Sequence, residues 1–288
     1  MDNNDSIRIY HYTKVDTLLR YILPQMRLRM NALANTNDPT EALWPLLEQN
    51  FTPDYPVYDT LSQIKSLSFC FHRINIKPDA PIFGFEIHPM WAHYAENWSG
   101  VCLDINYDKL IENNREQISR HDIRYQEIDY VDSINRKDIP PRDLMRVMID
   151  YQPMTAHEYI SHLIKKVGFV DERFFKKDHS WSYEQEYRFV ALKDFDEDIF
   201  LKLDGAIRKI ILGPRFNIHL YPAVRELIQE HGLEIDIIKK GDVDVRGLID
   251  EWSTYESYYN ANRISTKKRE REEMNKKFLA HIKETQKP

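Results

Sequence analysis

Glycine is scarce in this chain, with eight residues among 288. So few glycines leave little material for Gly-rich phosphate cradles and argue against a turn-dense all-β sandwich. No Gly-x-x-x-x-Gly-Lys, Gly-x-Gly-x-x-Gly or Gly-x-Ser-x-Gly stretch occurs, which removes the nucleotide-loop and nucleophile-elbow signatures. No apolar run approaches the roughly 18–20 residues of a membrane span. The opening Met1-Asp2-Asn3-Asn4-Asp5 is acidic and polar, unlike a secretory signal. The chain has two cysteines, Cys70 and Cys102, each inside an apolar run. They are expected as buried thiols in a reducing cytoplasm rather than as a disulfide.

Metal-ligand spacing is missing as well. His157 and His162 flank Glu158 on a helical stretch but stand five residues apart, which turns them about 140° away from each other. The zinc-protease pattern needs a spacing of four, and His88 with His93 has the same defect. Two distant cysteines make a structural zinc site improbable. A Ser/His/Asp triad assembles from distant residues, and nothing local points to one.

The net charge of −6 hides an asymmetry. Arg263–Pro288 carries nine Lys/Arg against four Glu, which leaves 31 basic and 42 acidic residues in the rest. An acidic body is a poor general nucleic-acid binder, because charge dominates phosphate contact. The basic tail is read first as a solvated, partly frayed terminal helix, and second as a contact for RNA, DNA or an acidic partner.

What the chain has in quantity is aromatic residues, 17 Tyr and 13 Phe among them. Ile7–Tyr12 reads as an opening strand. Thr13 is expected to cap a helix in a capping box with Asp16, its stripe formed by Val15, Leu18, Leu19 and Ile22, ending at Pro24. Arg27–Met30 is a short strand. Asp38, Pro39 and Glu41 read as a helix start, which explains both acids as capping groups. Ile64–Phe71, Phe83–Ile87, Val101–Ile105, Ile123–Tyr130, Ile207–Leu212 and Leu233–Ile238 are strand-like. His88-Pro89 opens a short helix on which Trp91, Tyr94, Ala95 and Trp98 share a face. Residues 106–140 are otherwise charged and irregular. Arg142–Val167 and Tyr221–His231 are helical, the first broken at Pro153. Strands and helices mix without regular alternation, so the expected class is α+β, a mixed-sheet core. It is read as a core domain over residues 1–244 and a basic helical C-terminal extension over 245–288.

The segment that demands explanation is Trp181-Ser182-Tyr183-Glu184-Gln185-Glu186-Tyr187-Arg188, followed by Phe189–Leu192. It is expected as one strand, with Glu184, Glu186 and Arg188 on one face. Two carboxylates about 7 Å apart on one strand repel, and burying either without a partner is costly. An exposed strand face carrying a Glu186–Arg188 ion pair is the structural alternative.

Several motifs together resemble a bacterial family, domain of unknown function 2971. They are His11-Tyr12-Thr13, Asn37-Asp38-Pro39-x-Glu41, Met90-Trp91-x-x-Tyr94, Gly100-Val101-Cys102-Leu103, Trp181-x-Tyr183-Glu184-x-Glu186-Tyr187-Arg188 and Ile210-Ile211-Leu212-Gly213. More loosely, the chain resembles the ADP-ribosyltransferases, whose NAD pocket has a His or Arg ending the first core strand, an aromatic on the nicotinamide and a later-strand Glu. That resemblance implies an ADP-ribosyltransferase-like arrangement of the core. It implies NAD as substrate, Glu186 as the catalytic carboxylate and Glu184 as the group that activates the acceptor. It further places His11, Tyr12, Thr13, Trp91, Tyr94 and Arg188 around NAD, with Tyr12 and Trp91 competing for the stacking role. There is no Ser-Thr-Ser motif, and the aromatic comes from a helix.

The activity so implied is NAD-dependent ADP-ribosylation of a macromolecule, protein or nucleic acid, by a cytoplasmic enzyme of the toxin or phage-defence kind. An antitoxin or regulatory protein on the C-terminal helix, and no membrane, complete the expectation. Two other readings stay open. One is a non-enzymatic protein- or nucleic-acid-binding module docking through Val245–Ile282. The other is a nuclease holding Mg²⁺ on Asp38, Glu184 and Glu186, although the pattern lacks the lysine such carboxylates often keep nearby.

Overall fold

The computed structural model describes residues 7–37, 60–71, 84–132 and 155–237. Among them the strands are β1 (Arg8–Thr13), β2 (Arg27–Arg29), β3 (Asn31–Ala32), β4 (Lys65–Phe71), β5 (Val101–Asn106), β6 (Ile123–Glu127), β7 (Asp129–Val131), β8 (Lys176–Asp178), β9 (Glu186–Ala191), β10 (Phe200–Lys202), β11 (Ile207–Leu212) and β12 (Glu234–Ile237). Parallel and antiparallel pairings mix in a multi-stranded sheet accompanied by helices, so the class is α+β. The chain divides into two compact units. One is Met1–Leu28, His72–Asn113 and Lys202–Pro288; the other is Arg29–Phe71 and Asn114–Leu201. The expected extension over 245–288, and the helix starting at Asp38, lie outside the described residues.

In the first unit β5 pairs antiparallel with β1 on one side and with β11 on the other. Strand β11 pairs in parallel with β12. Parallel neighbours need a crossover, and the helix Tyr221–Glu230 supplies it, burying Val224, Leu227 and Ile228. Ile9, Tyr10, Val101, Cys102, Leu103, Ile210 and Ile211 are all buried, as continuous apolar strand sequences require. Gly213 ends β11 beside the Trp98 carbonyl, so close that a β-carbon there would run into it.

In the second unit β9 is central, with β4 and β6 antiparallel on its two sides. Because side chains alternate, the sheet has two unlike faces. Phe69, Phe71, Tyr125, Tyr187 and Phe189 stack on one, with ring centroids 5.1–5.9 Å apart in the pairs Tyr125–Phe189, Phe71–Tyr187, Phe69–Phe189 and Tyr187–Phe189. Glu186, Arg188, Ser68 and Cys70 share the other, where Ser68 stands opposite Arg188 and Cys70 opposite Glu186. Strands β7 and β8 form a separate parallel pair that sets Tyr130 opposite Lys177. An apolar cluster that includes Leu61, Ile64, Ile160, Phe174, Phe175, Val190 and Phe195 forms this unit's core.

Four local expectations need correction. Thr13 does not cap a helix; it is the last residue of β1, paired with Val101, and Lys14 takes the cap position without a side-chain bond. The expected strand around Phe85 is a 3-10 turn over Gly84–Glu86, where Gly84 packs on the Tyr10 ring with no room for a β-carbon. The stretch after β5 is helical over Tyr107–Asn113 and Arg115–Arg120. Its helices were hidden because Leu110 is the one apolar anchor they bury. The fourth correction concerns the acidic motif itself.

Candidate functional site

Trp181–Arg188 is not one strand. Residues His179–Glu184 form a 3-10 turn, opened by Asp178, whose carboxylate accepts from the Ser180 amide at 2.9 Å. Gln185 then takes the left-handed conformation (φ 45°, ψ 49°), and β9 begins at Glu186. A non-glycine residue there costs roughly 1–2 kcal/mol. Neighbouring bonds hold it: the Phe71 amide donates to the Gln185 carbonyl at 2.8 Å, and the Gln185 amide to Ser182 at 3.2 Å. The Glu186 amide donates to the Tyr130 hydroxyl at 2.9 Å. The turn thus delivers both carboxylates to one place from different elements.

Lys177 meets them there. Its ammonium donates to Glu184 at 2.7 Å and to Glu186 at 3.3 Å. Arg188 grips Glu186 with two parallel bonds, Nε to Oε1 at 2.6 Å and Nη2 to Oε2 at 2.8 Å, while Nη1 donates to the Phe174 carbonyl at 3.0 Å. This is the fork geometry that makes Arg–carboxylate pairs strong. The side chains of Lys177, Glu184, Glu186 and Arg188 are each 5% exposed or less, so two buried anions face two buried cations. The expected Glu186–Arg188 pair exists, but it is interior rather than on an exposed face.

Burial alone pushes the Glu186 pKa up. The Arg188 and Lys177 charges, with hydrogen bonds from Arg188 and Ser68, outweigh burial and hold it at about 2. Burial and the two carboxylates push the Cys70 thiol well up, so it stays protonated. Burial and the Glu186 charge raise Tyr130 in the same way. The Ser68 hydroxyl donates to Glu186 Oε1 from an exposed strand position, which brings the solvent side of the unit to the carboxylate. The Lys177 ammonium also lies 4.7 Å from the ring centroid of half-buried Trp181, within cation–π range.

The remaining residues singled out in the sequence belong to the first unit. His11 is half-buried on β1, opposite Leu103, and Thr13 is buried at the strand end. Tyr12 is buried; its hydroxyl donates to the Gly84 carbonyl at 2.6 Å and its ring meets Trp91 edge-on at 5.0 Å. Trp91 is fully buried, stacked on Trp98 at 5.9 Å, its indole N–H donating to the Phe85 carbonyl at 2.7 Å. Both rings serve as core here. Tyr94 is half-buried at the end of the helix His88–Tyr94.

Sequence reasoning missed Lys177, Ser68 and Tyr130. The lysine that the Mg²⁺ reading lacked is therefore present, but it neutralises the carboxylates that a metal would need. Among the described residues no group of three or more His, Cys, Asp or Glu could hold a metal ion. No helix among them is long and apolar enough to cross a membrane. Ser68 had a faint signal as a polar residue inside an apolar strand, whereas Lys177 had none.

No curated protein and no solved structure matches the chain. The family model described as "Protein of unknown function (DUF2971)" matches residues 90–189, a span that includes Trp91, Tyr94, Lys177 and the whole Glu184–Arg188 motif. The matched span holds the Met90-Trp91-x-x-Tyr94 and Trp181–Arg188 motifs by which the sequence resembles that family.

Proposed function

We propose that the chain is an ADP-ribosyltransferase that uses NAD as substrate and modifies a macromolecule, protein or nucleic acid. The observation that carries the proposal is a carboxylate, Glu186, buried yet held ionised at about 2, at the first residue of a strand and behind an exposed serine. Cleaving the nicotinamide–ribose bond builds positive charge on the ribose, as in glycoside hydrolysis. A fixed, ionised carboxylate beside that charge stabilises the transition state more than the ground state.

The roles follow from the bonds. Arg188 and Ser68 orient Glu186, and Arg188 is locked in place by Phe174. The longest of the carboxylate's contacts is the 3.3 Å bond to Lys177, so Oε2 is where a ribose hydroxyl takes over. Glu184 lies at the end of the preceding turn and accepts the proton of the incoming acceptor group. Tyr12 and Trp91 are committed to packing, so the stacking role passes to a partly exposed aromatic.

The test is transfer of label from adenylate-labelled NAD to protein and nucleic-acid acceptors. Glu186→Gln should lower transfer a hundredfold or more, the loss of about 3–4 kcal/mol of barrier stabilisation. A folded Glu186→Gln variant with full activity overturns the proposal.

A further inference from the structure

We infer that His121 and Asp194 form a proton-operated latch, which ties the loop after β9 to the end of the helix Arg115–Arg120 when the imidazole carries a second proton. Both residues belong to the second unit, and the inference is independent of the transferase reading.

His121 follows that helix and stands just before β6. Its main chain is fixed on both sides. The amide donates to the Gln117 carbonyl at 3.0 Å, and the carbonyl accepts the amides of Leu192 at 3.1 Å and Lys193 at 3.0 Å. The side chain is 3% exposed, and its Nδ1 makes no hydrogen bond among the described residues. A buried polar atom left so is costly and calls for an explanation. What Nδ1 faces is a carboxylate oxygen of Asp194, 4.0 Å away. That distance is beyond hydrogen-bond reach and well inside Coulomb range.

A second proton, taken from solvent, makes both ring nitrogens donors and the ring a cation. A charge-assisted bond closes at about 2.7–2.9 Å, so the oxygen has roughly 1 Å to travel. Asp194 is the partner that can move, because its side chain is 53% exposed. Asp194 and Asp122, the neighbour of His121, both hold left-handed backbone (φ 49° and 45°), a conformation that gathers at switch regions. The surrounding charges leave the contact to these two groups. Arg120 of the helix pairs with Glu197 of the loop at 2.9 Å, and Arg124 of β6 pairs with Asp122 at 3.1 Å. Arg115 and Glu116 lie at the far end of the helix. Lys193 and Asp196 of the loop are exposed, and His157 stacks on Phe195 at 5.1 Å. The bond needs the imidazolium, so the latch holds on the acid side of the histidine range and lets go as pH rises through it.

Amide hydrogen exchange of the loop 193–199 in the full chain tests the latch, at pH 8 and pH 5.5 and corrected for the intrinsic exchange rate. Wild type, Asp194→Asn and His121→Gln are compared, with β9 as the internal reference. Wild-type protection of the loop should rise about fivefold at pH 5.5, and neither variant should show the rise. A wild-type loop that does not respond to pH overturns the latch, as does a response that Asp194→Asn retains in full. Should His121→Gln fail to fold, Asp194→Asn decides alone, since its side chain is largely exposed and isosteric. A direct readout accompanies it: the ring-nitrogen resonances of His121 should show the imidazolium at pH 5.5, and a ring still neutral there overturns the latch.

Discussion

Replacing Arg188 by methionine removes the strongest single partner of Glu186 while keeping most of the side-chain volume. Glu186 is held at about 2, against an ordinary value of 4.5. At 1.36 kcal/mol per pKa unit, the ionised carboxylate gains on the order of 3 kcal/mol from its surroundings despite the cost of burial. Removing one member of a buried pair costs about 3–5 kcal/mol, because the partner is left charged and unpaired. Arg188→Met is therefore expected to lose about 3–5 kcal/mol at pH 7, read from urea unfolding of the full chain. Glu186→Gln, which takes their shared carboxylate from Arg188 and Lys177, should lose a similar amount. The double variant should cost less than the sum, with a coupling of about 3 kcal/mol.

The pH dependence has a definite sign. The folded-state pKa of Glu186 is depressed, so its contribution is present above the unfolded value near 4.5 and is lost as pH falls toward 2. Wild type and Glu186→Gln should therefore differ most at neutral pH and converge between pH 4.5 and 2. An Arg188→Met cost below about 1 kcal/mol, the range of exposed pairs, would refute the reasoning. So would a wild-type/Glu186→Gln difference that is unchanged across that pH range.

Three further outcomes are open to simple measurement. Cys70 and Cys102 are both buried and unpaired in disulfides, and Cys70 is held protonated. A thiol reagent should leave both unmodified in the folded chain and titrate both in denaturant; rapid reaction of either under native conditions contradicts the packing. Gly213→Ala would push a β-carbon into the Trp98 carbonyl. It should destabilise by about 1–3 kcal/mol, the range of overpacking, and an unchanged melting temperature would show that the loop gives way. Trp91→Phe leaves the Phe85 carbonyl without its indole donor. An expected loss of about 1–3 kcal/mol, with the far-ultraviolet spectrum kept, distinguishes a packed core residue from an exposed platform.

The legible parts of the fold were those written in local apolar pattern. Strands β1, β4, β5 and β11 are runs buried almost throughout, and the helix opened by Pro89 begins where its proline allows. The acidic motif was misread because its alternation of aromatic and charged residues imitates a strand. Left-handed Gln185 breaks that pattern, and nothing in its residue type announces the turn. The helices after β5 were missed for the opposite reason, since they bury too little to show a periodic stripe.

For the candidate site, sequence alone marked Glu184, Glu186 and Arg188 as residues whose charges need an account, and the family's motifs pointed to the same three. Whether those charges lie outside or inside was beyond it, because burial depends on what packs over a strand rather than on the strand. Tertiary structure decided that point through pairing at a distance. Parallel register between β7 and β8 carries Tyr130 and Lys177 to the start of β9, and antiparallel register with β4 brings Ser68 across from Arg188. Two carboxylates that looked like an isolated liability are thereby met by two buried cations, Lys177 and Arg188, among the described residues. Coulomb attraction acts through space, and only the fold sets those distances.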